Sequence, residues 1–220
     1  MTLLDSQRVI LFGVGGVGSW CAECLIRTGL KHLTIVDGDT VQPSNINRQL
    51  PAIQSTLGQP KVEALKARLL AINPNAEIVA IPEFYHADNE NLKSQILNHQ
   101  FVIDAIDSVN DKTDLILYAS RARVRIFSSM GAALRFDPTQ VTTGELMTIK
   151  GDALAKAVRA RMKKIGQKPY RKVKCVYSME NVKPLPKNSE GESVKGSLMQ
   201  VTAAFGLTLA SLVIKDLMKP

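Results

Sequence analysis

The sequence lacks most features that mark secreted, membrane or disulfide-stabilised proteins. Three cysteines in 220 residues are too few for a disulfide framework, which agrees with a reducing compartment. No apolar run approaches the roughly 20 residues that cross a bilayer. The longest, 203–214, contains Thr208 and Ser211 and is interrupted by Gly206. The segment before the first strand is too short for a signal peptide and has no basic start. We therefore expect a cytoplasmic protein with no membrane segment.

The composition is that of an ordinary globular protein. Hydrophobic residues make up 45% of the chain, and the mean hydropathy is near zero. A chain of 220 residues can bury a full core and suits one α/β domain with an elaboration. We expect a single domain over 1–220, with a nucleotide-binding core at 8–133, a basic elaboration at 140–195 and a closing helix at 197–218.

The positive charge is unevenly distributed. Of the net charge of +8, residues 150–195 contribute 13 Lys/Arg against 4 Asp/Glu, an excess of nine, so the remaining residues sum to −1. Clustered basic charge is typical of a polyanion partner, whereas a lysine-rich solvated surface is the alternative. The asymmetry favours nucleic acid.

A glycine-rich turn follows the first apolar segment. Residues 9–12 are all apolar, which is typical of a central parallel strand buried on both faces. Glycines then stand at Gly13, Gly15, Gly16 and Gly18, where they permit a tight turn and bring backbone N–H groups close to a phosphate at the next helix. A helix at 19–28 and a strand at 33–36 complete a βαβ unit. The sequence therefore predicts a Rossmann-like, doubly wound and mostly parallel sheet of the α/β class.

Polar side chains follow the second strand. Asp37, about 20 residues after the glycine turn, suits the ribose hydroxyls of a nucleotide. A dehydrogenase would usually pass quickly into a helix here, but this chain continues with a polar loop, 37–49. Lys61 opens the next helix, where an anion is favoured, although an ordinary exposed lysine is the alternative. The loop and helix supply these further candidate ligands: Asp39, Asn45, Asn47, Arg48, Gln49 and Lys61.

Two carboxylates, Asp104 and Asp107, end the fourth strand at 101–107. Open α/β sheets bind ligands at the carboxyl ends of their strands, so both are candidates for holding Mg²⁺ or orienting the nucleotide. Capping of the following helix by Asp107 or Ser108 is an equally good interpretation of Asp107.

Alternating predicted elements fill the rest of the chain. The helix at 152–165 presents basic residues on its exposed face, and a loop expected to be mobile reaches residue 195. The predicted strands are 76–81, 125–129, 140–149 and 172–178, and the predicted helices are 61–71, 88–99, 110–123, 152–165 and 197–218.

Taken together, these motifs resemble the ThiF-type, ubiquitin-activating-enzyme-like superfamily, whose bacterial members adenylate a carboxylate with ATP. Within it the chain looks most similar to the tRNA threonylcarbamoyladenosine dehydratases. The superfamily motifs are GVGGVG (13–18), IVDGD (35–39), SNINRQ (44–49), GQPK (58–61) and DAID (104–107). The closer cues are SMGAA (129–133), DPT (137–139), CVYSME (175–180) and AFG (204–206).

The resemblance implies ATP at the glycine turn, with Asp37 at the ribose. It implies Asn47, Arg48 and Lys61 around the triphosphate, as catalytic groups together with Asp107, which would hold Mg²⁺. The implied reaction activates the carboxylate of the threonylcarbamoyl group on adenosine 37 of tRNA, and ring closure follows. The basic segment would then bind the tRNA backbone. The resemblance further implies a homodimer and allows a sulfur-transfer partner protein.

Three alternatives remain. The chain resembles adenylyltransferases that activate the C-terminus of a ubiquitin-fold sulfur carrier, but many of these have two CxxC pairs for zinc. Here Cys21 and Cys24 lie within a predicted helix and Cys175 in a strand, so we expect no zinc site and a packing role for Cys175. A nicotinamide-dependent dehydrogenase does not explain the polar loop. A non-catalytic nucleotide-binding protein is the last alternative. Relatives in the superfamily usually carry an additional N-terminal helix with an arginine that reaches the ATP of the partner subunit, whereas this sequence begins almost at the first strand.

Overall fold

A seven-stranded sheet forms the centre of the protein in a computed structural model that describes residue 4 and residues 6–181 and 196–218. The strand order is β3-β2-β1-β4-β5-β7-β6; all neighbours are parallel except β6, which pairs with β7 in the antiparallel sense. This confirms the predicted α/β fold. The strands are β1 (Arg8–Phe12), β2 (His32–Val36), β3 (Glu77–Ile81), β4 (Phe101–Asp104), β5 (Arg125–Ser129), β6 (Val141–Glu145) and β7 (Lys174–Ser178).

Helices cover both faces of this sheet. In β1, Val9 and Leu11 point into one buried cluster, which contains residues of α1, α2 and α6, while Ile10 and Phe12 point into another, with α3, α4 and α5. The all-apolar sequence of β1 follows from this, because both of its faces are buried. The helices are α1 (Gly18–Arg27), α2 (Lys61–Ile72), α3 (Glu90–Leu97), α4 (Val109–Arg121), α5 (Ala153–Lys164) and α6 (Met199–Leu217).

The order of the strands places a crevice beside β1. The chain leaves β1 to form β2 on one side, whereas β4 pairs with the other side of β1. Connections that run in opposite directions leave a gap at the carboxyl ends of the strands, where ligands bind in this class of fold. The segments after β1, β2 and β4 meet there.

Several boundaries differ from the predicted ones. The strand predicted at 140–149 ends at Glu145, because Thr148 and Ile149 turn back to donate N–H groups to the Glu145 carbonyl oxygen. Of its later apolar residues, Leu146 and Ile149 are buried at that turn, whereas Met147 is exposed. Fewer of the basic residues on α5 are exposed than predicted. Arg159 is half-buried, and its Nη1 donates to the Leu146 carbonyl oxygen at 2.8 Å.

The closing helix α6 is long and apolar enough, by length and composition, to cross a membrane. In this structure most of its apolar residues pack against α1 and the sheet, within the same buried cluster as Val9 and Leu11, whereas Met199 and Leu207 are exposed. Its composition therefore reflects a place in the core. The loop expected to be mobile falls mostly on residues 182–195, outside the described part of the chain.

Candidate functional site

A cavity of about 700 Å³ opens at the carboxyl edge of the sheet, at the crevice beside β1. Its volume is in the range of sites for cofactors and other small ligands. Most of the residues predicted from the sequence contribute to its lining. These are Gly13, Gly15, Gly16, Asp37, Asp39, Asn45, Arg48, Gln49, Lys61 and Asp107.

The glycine turn forms one wall of the cavity. Gly13 has φ of +85°, and a Cβ there would lie 2.7 Å from the Ala105 carbonyl oxygen, so only glycine fits. The N–H groups of Gly15 and Gly16 donate to no acceptor among the described residues. Unpaired N–H groups at the start of a helix are suited to a phosphate. The turn therefore has the features of an anion cradle.

Gly18 does not line the cavity, although it was predicted as a ligand-binding residue. A Cβ at this position would lie 1.8 Å from the Gly13 carbonyl oxygen. Its role in the structure is to let α1 start directly against the turn. It acts on the cradle through packing.

Asp37 stands at the end of β2 and is fixed by two backbone donors. Its Oδ2 accepts a hydrogen bond from the Val14 N–H at 2.8 Å, and its Oδ1 accepts one from the Asp39 N–H at 2.9 Å. Burial raises the pKa of this carboxyl group, and the two N–H donors act in the opposite direction. The carboxylate is thus oriented at the cavity wall, where it can accept hydroxyl donors.

Arg48 is held in place by its own loop. Its Nη1 donates to the Ser44 carbonyl oxygen and to Asn47 Oδ1, both at 2.8 Å. The stem of Arg48 lies against Gly16, where a Cβ would come within 3.3 Å of Arg48 Cγ. This arrangement brings the guanidinium next to the phosphate-type cradle. Asn47 itself does not line the cavity, because it orients Arg48 and donates to the Ser197 carbonyl oxygen.

Two residues of α1 that the sequence did not single out fasten this loop. Trp20 Nε1 donates to the Arg48 carbonyl oxygen at 3.2 Å. Ser19 Oγ donates to the Gly15 carbonyl oxygen at 2.7 Å and accepts from the Leu50 N–H at 3.3 Å. The sequence did contain a signal for these residues, since both carry a polar atom in the first turn of a helix that follows a glycine turn.

Lys61 begins α2 and is almost fully buried at the cavity. Its Nζ lies 2.6 Å from Asp39 Oδ2. The Lys61 N–H also donates to the Asp39 carbonyl oxygen, so the helix start and the loop are tied twice. Asp39 therefore lies in the cavity as the partner of Lys61. The alternative that Lys61 is an ordinary exposed lysine is wrong, because the residue is 6% exposed.

Asp107 faces the cavity with its carboxylate unpaired among the described residues. The N-cap of α4 is Ser108 rather than Asp107, because Ser108 Oγ accepts from the Asp111 N–H at 3.4 Å. The described residues contain no cluster of three His, Cys, Asp or Glu side chains that would hold a metal ion. Mg²⁺ commonly takes only one or two carboxylates and completes its shell with phosphates and water. The single carboxylate fits a shared site of that kind.

Asp104 was predicted to hold Mg²⁺ or to orient the nucleotide, and the structure contradicts this prediction. It does not line the cavity, because its side chain is fully buried and lies 2.7 Å from Lys112 Nζ. Asp104 Oδ2 also accepts from Ser128 Oγ, and Lys112 donates to the Ser129 carbonyl oxygen at 2.9 Å. Lys112, which no sequence pattern marked, thus joins β4 and β5 beneath the cavity. A carboxylate held this way is not available to a ligand.

Gln49 offers a direct indication that a polar ligand fits here. The residue is 8% exposed, lines the cavity, and its Oε1 has no hydrogen-bond partner in the described part of the chain. A buried acceptor without a donor costs free energy. A hydroxyl or amino group of a bound nucleotide would satisfy it, and together with the glycine cradle this supports the fit.

The far rim of the cavity is anchored to the C-terminal half of the chain. Arg135 is buried and donates from Nη2 to Asp152 Oδ2 at 3.1 Å and from Nε to the Gly131 carbonyl oxygen at 2.9 Å. Asp152 Oδ2 also accepts from the Gly131 N–H at 3.2 Å. Gly131 lines the cavity, so this network fixes its rim.

The cysteines take no part in the cavity. Cys175 is fully buried in β7, in agreement with the predicted packing role, and burial raises the pKa of its thiol. Cys21 is fully buried within α1, where burial likewise raises the thiol pKa. A raised pKa disfavours the thiolate form that reactive or metal-binding cysteines need.

Comparison with known proteins identifies the relatives of this chain. The sequence matches the ThiF family over residues 1–220. It is 36% identical to the tRNA threonylcarbamoyladenosine dehydratase of Haemophilus influenzae, covering 98% of this chain and 87% of that protein. The Bacillus subtilis enzyme of the same name is also 36% identical, with 98% and 89% covered.

A solved structure shows the same architecture. Escherichia coli tRNA N6-threonylcarbamoyladenosine dehydratase, TcdA, in complex with ATP, superposes with a TM-score of 0.86 at 34% identity, covering 98% of this chain and 87% of that one. By contrast, the E. coli molybdopterin-synthase adenylyltransferase is 35% identical over only 61% of this chain and 52% of its own length.

Proposed function

This chain belongs to the ThiF family, and we propose that it is an ATP-dependent tRNA threonylcarbamoyladenosine dehydratase. The observation that carries the proposal is the extent of the similarity. It spans 98% of the chain for the Haemophilus influenzae and Bacillus subtilis dehydratases, and 61% for the Escherichia coli molybdopterin-synthase adenylyltransferase.

ATP occupies the cavity in this proposal. Its phosphates lie on the N–H groups of Gly15 and Gly16, and its ribose hydroxyls donate to Asp37. Arg48 and Lys61 lie beside the phosphates. Asp107 would hold Mg²⁺, and the ion would supply neutralisation of the phosphate charge.

The chemistry follows from the weakness of a carboxylate as an electrophile. A carboxylate oxygen of the threonylcarbamoyl group attacks the α-phosphorus, and pyrophosphate leaves. A nucleophilic atom of the same side chain then attacks the activated carbonyl carbon, AMP leaves, and one proton is lost. The nucleoside thereby loses one water, whose oxygen ends in AMP. Arg48 and Lys61 stabilise the charge that builds on the phosphates in the first step.

Four further features belong to the same proposal. We propose Mg²⁺ as the metal ion, the cytoplasm as the location and a homodimer as the assembly, with a sulfur-transfer protein as a partner. The basic segment 150–195 supports tRNA as the substrate, because its excess of nine positive charges suits a polyanion.

One assay tests the proposed function. The protein is incubated with ATP, Mg²⁺ and tRNA that carries threonylcarbamoyladenosine, and the digested nucleosides are analysed by mass spectrometry. We expect the modified nucleoside to lose the mass of one water only when ATP is present. No mass change, together with ATP–pyrophosphate exchange that depends on an added sulfur carrier, would favour the adenylyltransferase instead.

A further inference from the structure

A row of lysines lies on the outer face of α5. Lys156, Lys163 and Lys164 are exposed, and their spacing of seven and eight residues places them on the same side of the helix. None of them is paired with an acidic side chain among residues 6–181 and 196–218. The row therefore presents uncompensated positive charge to solvent.

The row begins at the candidate functional site. Asp152 caps α5 by accepting from the Ala155 N–H at 2.8 Å, and the same carboxylate accepts from the Gly131 N–H at the cavity rim. Leu154, in the first turn, lines the cavity itself. From there the 12 residues of α5 lead away from the rim over about 18 Å.

The row ends at an exposed aromatic residue. Tyr170 is 77% exposed, and its N–H donates to Ser120 Oγ at 2.7 Å, which fixes the segment against the last turn of α4. Because α4 starts at the cavity and runs back along the sheet, Tyr170 lies at the opposite edge. Exposed basic residues surround it in the sequence: Lys168, Arg171, Lys172 and Lys174.

A small groove of about 240 Å³ lies at the same edge. Four cationic residues contribute to its wall, next to Ser120 and Asp216. They are Arg125, Arg171, Lys172 and Lys174. Arg125 is paired with Asp216 at 2.7 Å, so Arg171, Lys172 and Lys174 continue the positive charge from α5 across this edge of the sheet.

We propose that the α5 track, defined as Lys156, Lys163, Lys164, Lys168, Tyr170, Arg171 and Lys172, binds the backbone of the substrate tRNA. This rests on the proposed function, since the same RNA delivers its modified nucleoside to the cavity where the track begins. The track fixes the direction in which the RNA leaves the cavity.

Tyr170 makes RNA the partner that best fits the track. Proteins bind single-stranded RNA by stacking its bases on exposed aromatic rings, with cationic side chains on the phosphates. A backbone fixed by Ser120 presents the ring with little loss of conformational freedom on binding. An acidic protein or a lipid headgroup would use the charges but would not require the ring.

Binding of a fluorescein-labelled RNA hairpin with the anticodon-arm sequence tests the track. In anisotropy titrations, we expect Lys163→Glu combined with Lys164→Glu to weaken binding about tenfold or more and to reduce the salt slope by about two. Lys66→Glu, on α2 across the sheet, is the matched control and should bind like the unchanged protein. Tyr170→Ala should weaken binding about tenfold, and Tyr170→Phe should restore it.

The outcomes separate the track from the proposed function. Charge-reversed protein that binds the hairpin as tightly as Lys66→Glu overturns the track, whatever its activity. The track is also overturned if the charge-reversed protein loses binding to anionic lipid vesicles while its affinity for RNA is unchanged. If the variants lose RNA binding but the unchanged protein never dehydrates the nucleoside, the track stands and the proposed function fails. ATP affinity measured alongside should be the same in all variants.

Discussion

Lys61 and Asp39 form an unequal ion pair at the cavity, with Nζ and Oδ2 2.6 Å apart. The lysine side chain is 7% exposed and the aspartate side chain 52%. The charge of Lys61 is therefore held inward, where a phosphate would meet it, while Asp39 keeps contact with water. Because a buried ammonium needs a partner, Asp39 supplies the counter-charge to Lys61 at this position.

We predict that Lys61→Ala lowers the turnover number about a hundredfold or more. The substitution removes one of the positive groups that stabilise the negative charge building on the phosphates in the transition state. The melting temperature should change little, since the Asp39 carboxylate left behind is hydrated. Steady-state kinetics and a thermal melt measure the two effects. Lys66→Ala, one turn further along α2, is the control, and equal turnover in both variants would remove Lys61 from the site.

Arg48 gives a second prediction, on binding. Arg48→Ala should weaken ATP binding about ten- to a hundredfold, the usual effect of losing a hydrogen bond to a charged group. Arg48→Lys should restore it only in part, because lysine cannot keep both contacts of Nη1 while facing a phosphate. Isothermal titration measures the affinity. Arg27→Ala, at the end of α1 away from the cavity, should bind ATP normally, and an unchanged affinity of Arg48→Ala would contradict the assignment.

Asp104 and Asp107 should respond in opposite ways to removal of their charge. We expect Asp104→Ala to destabilise the protein by about 3–5 kcal/mol, because Lys112 is left buried without a counter-charge. Asp107→Asn should leave the free energy of unfolding nearly unchanged and lower Mg²⁺-dependent turnover. Urea denaturation and a Mg²⁺ titration of activity provide the two measurements. A stable Asp104→Ala protein with reduced ATP affinity would reverse the roles of the two carboxylates.

These two carboxylates also show how far the sequence could predict the site. Glycines, Asp37 and Lys61 follow from local rules, since each stands at the end of a strand or the start of a helix. Asp104 was misplaced because it is the last residue inside β4, so the strand directs its side chain into the layer of Lys112. Asp107 comes three residues later, beyond the strand, and reaches the cavity.

The contacts that the sequence did not predict join distant parts of the chain. Trp20 donates to a carbonyl oxygen 28 residues later, and Asn47 donates to Ser197, 150 residues later. Thr202, on α6, lies against Gly16 and lines the cavity. No local pattern reports such pairs, because they depend on how α1 and α6 pack on the sheet.

His99 makes stability depend on pH. Burial, helped by the charge of Arg8, lowers the pKa of His99. Its Nδ1–H donates to the Gln95 carbonyl oxygen at 2.6 Å, so the neutral Nε2 accepts from Thr34 Oγ1 at 2.9 Å. The unfolded chain binds the proton more readily, so the free energy of unfolding should fall as the pH drops below about 6.5 and should be fully restored above it.

Urea denaturation between pH 5.5 and 7.5 measures this dependence. His99→Gln should reduce the difference between the two ends of the range, because glutamine does not titrate. His32→Gln, at the half-buried start of β2, is the control and should keep most of the slope. If the slope of His99→Gln equals that of the unchanged protein, another group is responsible.

Gly206 connects the packing of α6 to the cavity. A Cβ at this position would lie 2.5 Å from the Val17 carbonyl oxygen and 2.7 Å from Trp20 Cβ. Alanine favours a helix over glycine by about 1 kcal/mol, but overpacking against a backbone atom costs about 1–3 kcal/mol. We therefore expect Gly206→Ala to lower the free energy of unfolding by up to about 2 kcal/mol, measured by urea denaturation.

The same substitution should also weaken ATP binding. Moving α6 outward displaces Thr202 from Gly16 and shifts Trp20, which holds the Arg48 loop through the Arg48 carbonyl oxygen. Ser211→Ala, on the exposed face of α6, should change neither stability nor ATP affinity. If Gly206→Ala is as stable as Ser211→Ala, the close approach of α1 and α6 does not constrain this residue. If it is less stable but binds ATP normally, the contact supports the fold without positioning Arg48.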